Sequence, residues 1–549
     1  MGRNRERPSR QVIYQETLVK NLGSLPVVAH FLRQLDVEGI IDRAVPVREV
    51  AHLTHGETIC AMVANRLTAP QPLCHFDRWA ERWAVEEVFG AKPEHLNDDR
   101  LGRALDAIAP HLEALQGSIT WSAMQAFGVD VSEVHYDLTS ITFAGAYEDQ
   151  PDEQIPGLGP KVTRGYSSAG INEKQIQVGA VTTADGIPIW HEALDGSAQQ
   201  ISRVIHTMES LKKAAKVSSF TLVGDSKLIS HGNMLAACRD GVNFCAPSAT
   251  NSELERSFLE IPREEFKALN YLSQRESQKP ESERTVYLGA ERSWELRDPK
   301  TGEVFSIRRL FVISSEEQAA CRKHRSRQLA RAEEDLATLQ KGLGKRTSKT
   351  VEQVQRKVAV LLDRRRVTPY FSVTVGEEQG KPTLQWSQNT AAIAAAEALD
   401  GFYVLLTNLP SERADASEIL CIYKRQAIAE RRFGDFKGPL AVRPVLLKDN
   451  ARIAALVFVV YLALLVFCLL ERQARRELAA QSADGKDDTM QGFLPGKRKT
   501  RPTGRNILEA LSWWMATSVA TPTGPALAVE KPKEVQRRLL ELLKVERIL

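Results

Sequence analysis

One uncharged apolar segment constrains the fold of this chain more than any other feature of its sequence. Residues 453–470 (IAALVFVVYLALLVFCLL) form a run of 18 residues without Asp, Glu, Lys or Arg. A helix of that length can cross a bilayer, and it can equally form the centre of a large globular domain. Charged residues border the run on both sides: Arg452 before it, and Glu471, Arg472, Arg475 and Arg476 after it. We therefore expect a buried helix in a protein without a membrane partner, with a membrane span as the alternative.

The length and the cysteine content of the chain limit the classes of protein to which it can belong. With 549 residues and 43% hydrophobic content, roughly three to five structural units are expected. The seven Cys are scattered and form no CxxC pair, which is typical of a reduced cytosolic protein and not of a disulfide scaffold or zinc site. The first ten residues lack the apolar core of a signal peptide, so we predict a cytoplasmic protein. The net charge of +4 is too small to identify a nucleic-acid partner.

The spacing of apolar residues changes near residue 130. Before it, apolar residues recur every three or four positions, which predicts helices, with Asn97 or Asp98 suited to cap the helix that begins near Asp99. After it come three strands, the last two joined by a turn at Asp185-Gly186, and then a helix, a strand, a helix and a strand. This is the element order of an RNase H-like core, an α/β fold with a mixed sheet and flanking helices.

A long interruption divides this core. Its charged helical stretch is broken at 341–349 (KGLGKRTSK), which predicts an antiparallel helical pair within an α+β insertion. The predicted domains are a helical N-terminal region (1–125), the first part of the core (130–246), the insertion (247–400), the second part of the core (401–475), and a basic linker with a C-terminal helix (476–549).

Three acidic residues stand out because of the elements that carry them. Asp137 lies in the first strand of the core (HYDLTS), and Asp225 lies at the C-terminal end of a later strand (LVGDSK). Side chains at such strand ends face the ligand crevice of α/β sheets. Glu430 lies on the helix after the insertion. Each acid also has a simpler interpretation when it is taken alone. Asp225 would then cap the helix that follows it, and Glu430 would face solvent.

Together, three carboxylates suit phosphodiester chemistry. Cleavage of a phosphodiester develops negative charge on the attacking and leaving oxygens, and two divalent ions roughly 3.5 to 4 Å apart stabilise both. Mg²⁺ prefers oxygen ligands, keeps several waters and takes one or two carboxylates. Asp137, Asp225 and Glu430 are therefore the candidate catalytic and metal-binding residues.

The region around Glu430 resembles the DDE transposases of bacterial insertion sequences. Their third acid lies in a Tyr-x2-Arg-x3-Glu-x6-Lys signature, and here Tyr423, Glu430 and Lys437 have that spacing, while Gln426 replaces the Arg and Arg425 is adjacent. Further stretches are similar to the 1634-like branch of the insertion-sequence-4-type superfamily: YDLTS at 136–140, DGIPIWHEALDG at 185–196, VGDSKLIS at 223–230, LDGFYVLLTN at 399–408 and LNDDRLGRALD at 96–106.

The resemblance implies a transposase that cleaves double-stranded DNA at terminal inverted repeats. It would join the 3′-hydroxyl ends to target DNA in a synapsed homodimer, with Mg²⁺ as the cofactor and Mn²⁺ able to substitute. The implied DNA contacts are Tyr423, Arg425, Lys437, Lys227 and Arg432, and the N-terminal region would bind DNA ends or dimerise. The protein would be bacterial, cytoplasmic and nucleoid-associated when it acts. A metal-dependent nuclease of the same fold and an inactive, repurposed DNA-binding protein are the alternatives.

Helix geometry and basic clusters add two expectations. On one continuous helix, Tyr423, Glu430 and Lys437 would share a face, because seven residues make about two turns. Basic clusters at 322–331, 364–366 and 497–505 either follow the DNA backbone or form the solvated surface of the helical pair.

Overall fold

The computed structural model describes the chain except for residues 1–16, 144–158, 167–171, 198–203, 216–217, 274, 346, 441–446, 484, 497, 522–523, 547 and 549. The chain divides into two compact units. The first consists of residues 1–223 and 425–549, and the second of residues 224–424. The start of the predicted helix at 198–215 and Lys497 of the last basic cluster lie outside the described residues.

The N-terminal part of the first unit is helical, as predicted. Its elements are β1 (Thr17–Asn21), α1 (Leu25–Gln34), α2 (Val37–Ala44), α3 (His55–Thr68), α4 (Phe76–Arg82), α5 (Val85–Phe89), α6 (Asp98–Ile108) and α7 (Leu112–Phe127). Asn97 caps α6, because its side chain accepts a hydrogen bond from the Arg100 amide at 2.9 Å. The helix predicted to begin near Asp99 ends at Ile108, since Pro110 has no amide hydrogen to continue it.

A mixed sheet forms the core of the first unit. Its elements are β2 (Glu133–Thr142), β3 (Thr163–Tyr166), β4 (Asn172–Thr183), β5 (Pro188–Asp195), α8 (Val204–Ala215) and β6 (Thr221–Val223). Strand β2 lies between β4, to which it is antiparallel, and β6, to which it is parallel. Strands β3 and β5 pair with successive parts of the other edge of β4. The predicted turn between β4 and β5 is present, with Gly186 at φ +81°. The mixed α/β class is therefore confirmed.

The second unit contains an antiparallel sheet and the predicted helical pair. Its elements are α9 (His231–Arg239), β7 (Asn243–Pro247), α10 (Ser252–Leu259), β8 (Lys267–Ala268), β9 (Tyr287–Arg297), β10 (Val304–Ser314), α11 (Ser315–Lys341), α12 (Val351–Arg365), β11 (Phe371–Glu378), β12 (Lys381–Gln388), α13 (Thr390–Ala398), β13 (Phe402–Thr407) and α14 (Ala416–Lys424). Strands β7, β13, β10, β9 and β8 pair in that order. The helical pair and the β11–β12 hairpin enclose an apolar core of their own.

The chain then returns to the first unit. The returning elements are α15 (Gln426–Lys437), α16 (Asn450–Gln481), β14 (Met490–Gln491), β15 (Lys499–Thr500), α17 (Gly504–Ser512), β16 (Met515–Thr521), β17 (Gly524–Val529) and α18 (Glu534–Leu542). Among the described residues, α16 is the one helix long and apolar enough to cross a bilayer, and its apolar stretch is wholly buried. It packs against α3, α6, β5 and α17, so the predicted buried helix is present in the core.

The C-terminal region differs from the predicted linker and single helix. Strand β16 pairs with β1 on one side and with β17 on the other, and Lys20 lies opposite Ala516 in this register. The two ends of the chain thus form one small antiparallel sheet in the first unit. This pairing joins residues about five hundred positions apart, so no local pattern of the sequence predicts it.

Candidate active site

One face of strand β2 carries three ionisable side chains. Because side chains alternate along a strand, Glu133, His135 and Asp137 point to the same side of the sheet. Asp137 is half-buried, and its Oδ1 accepts a hydrogen bond from the Leu138 amide at 2.8 Å. The neighbouring strand β6 ends with Val223 opposite His135, so Asp137 lies just beyond that end. The predicted placement of Asp137 on a core strand is therefore correct.

Polar contacts connect this face to the beginning of α15. The guanidinium of Arg425 donates to both carboxylate oxygens of Glu133, at 2.8 and 2.6 Å, and His135 Nε2 lies 2.9 Å from the same carboxylate. Burial alone would raise the pKa of Glu133, but the bonds from His135 and Arg425 outweigh it and lower that pKa. The Nδ1 atom of His135 is buried and has no hydrogen-bond partner among the described residues. We missed Glu133 and His135 in the sequence, although their alternation with Asp137 is the pattern that identifies them.

The continuous helix predicted to carry the three signature residues is in fact two helices. Helix α14 ends at Lys424 and α15 begins at Gln426, and the carbonyl of Arg425 between them accepts a hydrogen bond from the Ile428 amide at 2.9 Å, three residues on. The predicted continuous helix is therefore wrong, and Tyr423 lies on α14 in the second unit, apart from the helix of Glu430 and Lys437.

The other two signature residues remain together. Glu430 and Lys437 are seven residues apart on α15 and share one of its faces. Glu430 is exposed and Lys437 is half-buried. Helix α15 packs against β2, the strand that carries Asp137, and against α16. Two of the three predicted acids thus lie on packed elements of one unit.

Arg432 holds α15 in the interior of the first unit. Its Nη2 lies 2.9 Å from Glu471 of α16, and its Nε donates to the carbonyl of Gly186 in the β4–β5 turn at 2.9 Å. Burial alone would raise the pKa of Glu471, but Arg432 and Arg475 outweigh it and lower that pKa. The Arg432 side chain is only 4% exposed and already paired, so the structure assigns it to packing, and the predicted contact of Arg432 with DNA is not among the contacts proposed below.

Close packing at the β4–β5 turn also holds α15 in its position in the first unit. Gly186 approaches α15 so closely that a Cβ atom there would lie 2.5 Å from Ile428 and 3.0 Å from the Arg432 guanidinium. Glycine is therefore required at this position both for its backbone angle and for the space that α15 occupies.

Asp225 and Lys227 belong to the second unit, in the turn before α9. Asp225 is half-buried, and its Oδ1 accepts a hydrogen bond from the Lys227 amide at 2.9 Å, whereas the Lys227 side chain is exposed. The alternative in which Asp225 caps the next helix is wrong. Helix α9 begins at His231, and Ser230 caps it by accepting a hydrogen bond from the Asn233 amide.

The three predicted acids have the chemistry to bind a divalent ion, but they do not form a metal-binding cluster among the described residues of this structure. Carboxylate oxygens are the ligands that hard divalent ions take. Within the part of the chain that the structure describes, however, no group of three or more His, Cys, Asp or Glu side chains is arranged to hold a metal ion. Asp137 and Glu430 lie on the packed elements β2 and α15, and Asp225 follows β6 by two residues.

Comparison with known proteins places most of the chain in one family. A family model described as a transposase DDE domain matches residues 136–466, more than half of the chain. A second model, described as a domain of unknown function (DUF4277), matches residues 17–115. A search of curated proteins found no match. The chain is similar to a cryo-EM structure of the piggyBac transposase synaptic complex with hairpin DNA, at 11% identity over 86% of each chain, with a TM-score of 0.26. A likeness at that score supports no inference.

Proposed function

The chain belongs to the family of transposases with a DDE domain, and from this membership we propose that it cleaves DNA at the terminal inverted repeats of a mobile element and joins the 3′-hydroxyl ends to target DNA. Asp137, Asp225 and Glu430 are the proposed catalytic acids and ligands of a divalent ion, Mg²⁺ or Mn²⁺. The strongest support is the extent of the family match, which begins beside Asp137, ends within α16 and includes all three acids.

The strand order of the first unit supports our proposal of an RNase H-like core, and the proposed 1634-like branch rests on the sequence motifs alone. Three antiparallel strands, β5, β4 and β2, are followed through α8 by β6, which is parallel to β2. This is the order that the sequence predicts for such a core. Asp137 and Asp225 each lie two residues beyond a paired position of these two parallel strands, His135 and Val223.

The mechanism follows from what each side chain offers. A bound divalent ion supplies charge neutralisation at the phosphoryl oxygens and lowers the pKa of the attacking water. The carboxylates of Asp137 and Glu430 provide oxygen ligands from β2 and α15, whose separation is set by the packing of these two elements. Lys437, on the same face as Glu430, and Lys227 and Tyr423 are proposed to bind phosphates of the cleaved DNA.

Arg425 has a different proposed role. Its bidentate pair with Glu133 connects the first turn of α15 to the strand of Asp137. We therefore assign Arg425 to positioning α15 and not to DNA. Two copies of the chain, each with one element end, would form the synaptic complex in this proposal.

The test is cleavage and joining of labelled duplexes that carry the inverted repeats flanking the gene. Wild type should give Mg²⁺-dependent nicks and joined products, whereas Asp137→Asn, Asp225→Asn and Glu430→Gln should each lower the rate by roughly 10²-fold or more, since several kcal/mol of charge stabilisation are lost. Glu283→Gln, which removes an exposed carboxylate outside the family motifs and the N-terminal region, should leave the rate unchanged. Binding of Mn²⁺, followed by electron paramagnetic resonance, should weaken in the same three variants.

The results of this experiment distinguish a transposase from the two alternative functions. Nicks without joined products would identify a nuclease of the same fold. Wild-type binding to the repeats without any cleavage would identify an inactive DNA-binding protein. Full activity of Glu430→Gln would show that the third acid is assigned wrongly.

A further inference from the structure

The helical pair of the second unit, α11 and α12, presents a basic surface opposite its own apolar core. On α11 the residues that face this core include Leu329, Ala332 and Leu336. Lys323, Arg327 and Arg331 recur every four residues and lie on the other side of the helix, about 160° away by helical geometry. All three are exposed, and none has an ion-pair partner among the described residues.

This absence of partners distinguishes the three cations from their neighbours. Arg325 pairs with Asp400, and Arg364 and Arg365 pair with Asp335. Arg364 and Arg365 thus connect α12 to α11, and Arg325 connects α11 to the turn after α13. The three cations of the stripe make no such ion pair with the described residues, and like charges four residues apart on a helix repel each other slightly.

A basic groove continues the stripe toward the tip of the helical pair. This groove of about 600 Å³ begins at Asp335 and Thr338, the latter two helical turns beyond Arg331. The cations that line it are Lys345, Arg356, Lys357 and Arg364, and the acid is Asp335. Lys357 is held in place by the hydroxyls of Thr347 and Ser348, at 2.8 and 2.9 Å. Stripe and groove together are called the basic face below.

From this arrangement we propose that the basic face binds the phosphate backbone of duplex DNA, an inference that rests on the proposed function. The stripe extends from Lys323 to Arg331, which is about 12 Å along the helix axis. Duplex DNA carries one negative charge per about 1.7 Å of its axis, so several phosphates lie within that length. The cations contact phosphates and read no base edges, so binding here positions the DNA without selecting its sequence.

Salt dependence of DNA binding tests this proposal, because each neutralised phosphate contributes about 0.9 to the slope of log K against log [salt]. The variant is the triple substitution Lys323→Gln, Arg327→Gln and Arg331→Gln in the full chain, with affinity for a labelled duplex followed by fluorescence anisotropy. We expect the slope to fall by about 2 to 3, equally for duplexes with and without the inverted repeats.

A matched control removes the same charge elsewhere in the second unit. The triple substitution Arg292→Gln, Arg297→Gln and Lys300→Gln affects cations on and after β9, of which Arg297 and Lys300 are exposed, while Arg292 is partly exposed and paired with Glu265. It should leave the slope within about 0.5 of wild type. Circular dichroism should show unchanged helix content in both variants, because neither set of residues contributes to an apolar core.

The proposal is overturned if both triple variants lower the slope equally, if the stripe variant leaves it unchanged, or if wild type does not bind duplex DNA. Equal loss of affinity for a poly-glutamate peptide would also overturn it, by showing a general polyanion surface. Failure of the proposed function looks different: wild type and the control would then bind duplex with the expected slopes and yet produce no cleaved or joined DNA.

Discussion

Replacing Glu471 by Gln should destabilise the first unit strongly, because this carboxylate neutralises the buried Arg432 and the half-buried Arg475. Its side chain is 3% exposed, and its oxygens lie 2.9 Å from Arg432 and 2.6 Å from Arg475. Burial lowers the pKa of Arg475 to about 10, so the loss of its anion leaves a cation that already lacks solvation. Removing one partner of a buried ion pair typically costs about 3 to 5 kcal/mol of unfolding free energy, and we expect Glu471→Gln to fall in that range.

The assay is urea denaturation followed by far-ultraviolet circular dichroism. Asp106→Asn is the matched control, because Asp106 and Arg452 form a pair of similar geometry, at 2.6 Å, whose side chains are 47% and 39% exposed. An exposed pair contributes roughly 0.2 to 1 kcal/mol, so the two variants should differ by at least about 2 kcal/mol. The double variant Arg432→Met with Glu471→Gln should be less destabilised than the two single changes added together. If Glu471→Gln lowers the free energy of unfolding no more than Asp106→Asn does, the reasoning is refuted.

Two further predictions concern buried polar groups of the first unit. Burial lowers the pKa of His191 to about 3, and its ring lies 4.4 Å from that of Tyr461. An unfolded His titrates near 6.5, so the stability that His191 contributes is complete above pH 6.5 and declines as the pH falls toward 3, by about 1 kcal/mol per unit between pH 6 and 4. Urea denaturation at several pH values should show this decline, and His191→Gln should remove it. If the unfolding free energy of that variant falls with pH as it does in wild type, His191 is not the cause of the decline. Glu133→Gln, which breaks the bidentate pair with Arg425, should raise the Mg²⁺ concentration for half-maximal cleavage with a smaller effect on the rate at saturating Mg²⁺. The double variant with Arg425→Gln should be no worse than Glu133→Gln alone, and additive losses would show that the two residues act separately.

Local patterns of the sequence were sufficient for most individual elements. The four-residue spacing before residue 130, the Asp185-Gly186 turn, the break within the charged helical stretch and the cap at Asn97 all involve residues within a few positions of each other. The same holds for the uncharged run at 453–470, whose composition leaves few environments other than a core. Membership in the transposase family also followed from short motifs, and the family match confirms it.

The break at Arg425 and the environment of each arginine were decided only by the tertiary structure. Arg432 and Lys437 lie on one helix, five residues apart, and both are basic. The sequence assigns both to DNA, yet Arg432 is buried because Glu471 lies on the next helix and the Gly186 carbonyl on a distant turn. Likewise Arg425 is paired because β2 presents Glu133 beside it.

The sequence by itself determined most of the helices, strands and turns, and the family of this protein, since these depend on neighbouring residues or on short motifs. The tertiary structure decided which charges are neutralised and which remain available. Burial and pairing of a charge depend on residues hundreds of positions away, whose desolvation and Coulomb energies exceed any local preference. For that reason Lys323, Arg327 and Arg331 could be recognised as cations without an ion-pair partner among the described residues only once the partners of the other arginines were known.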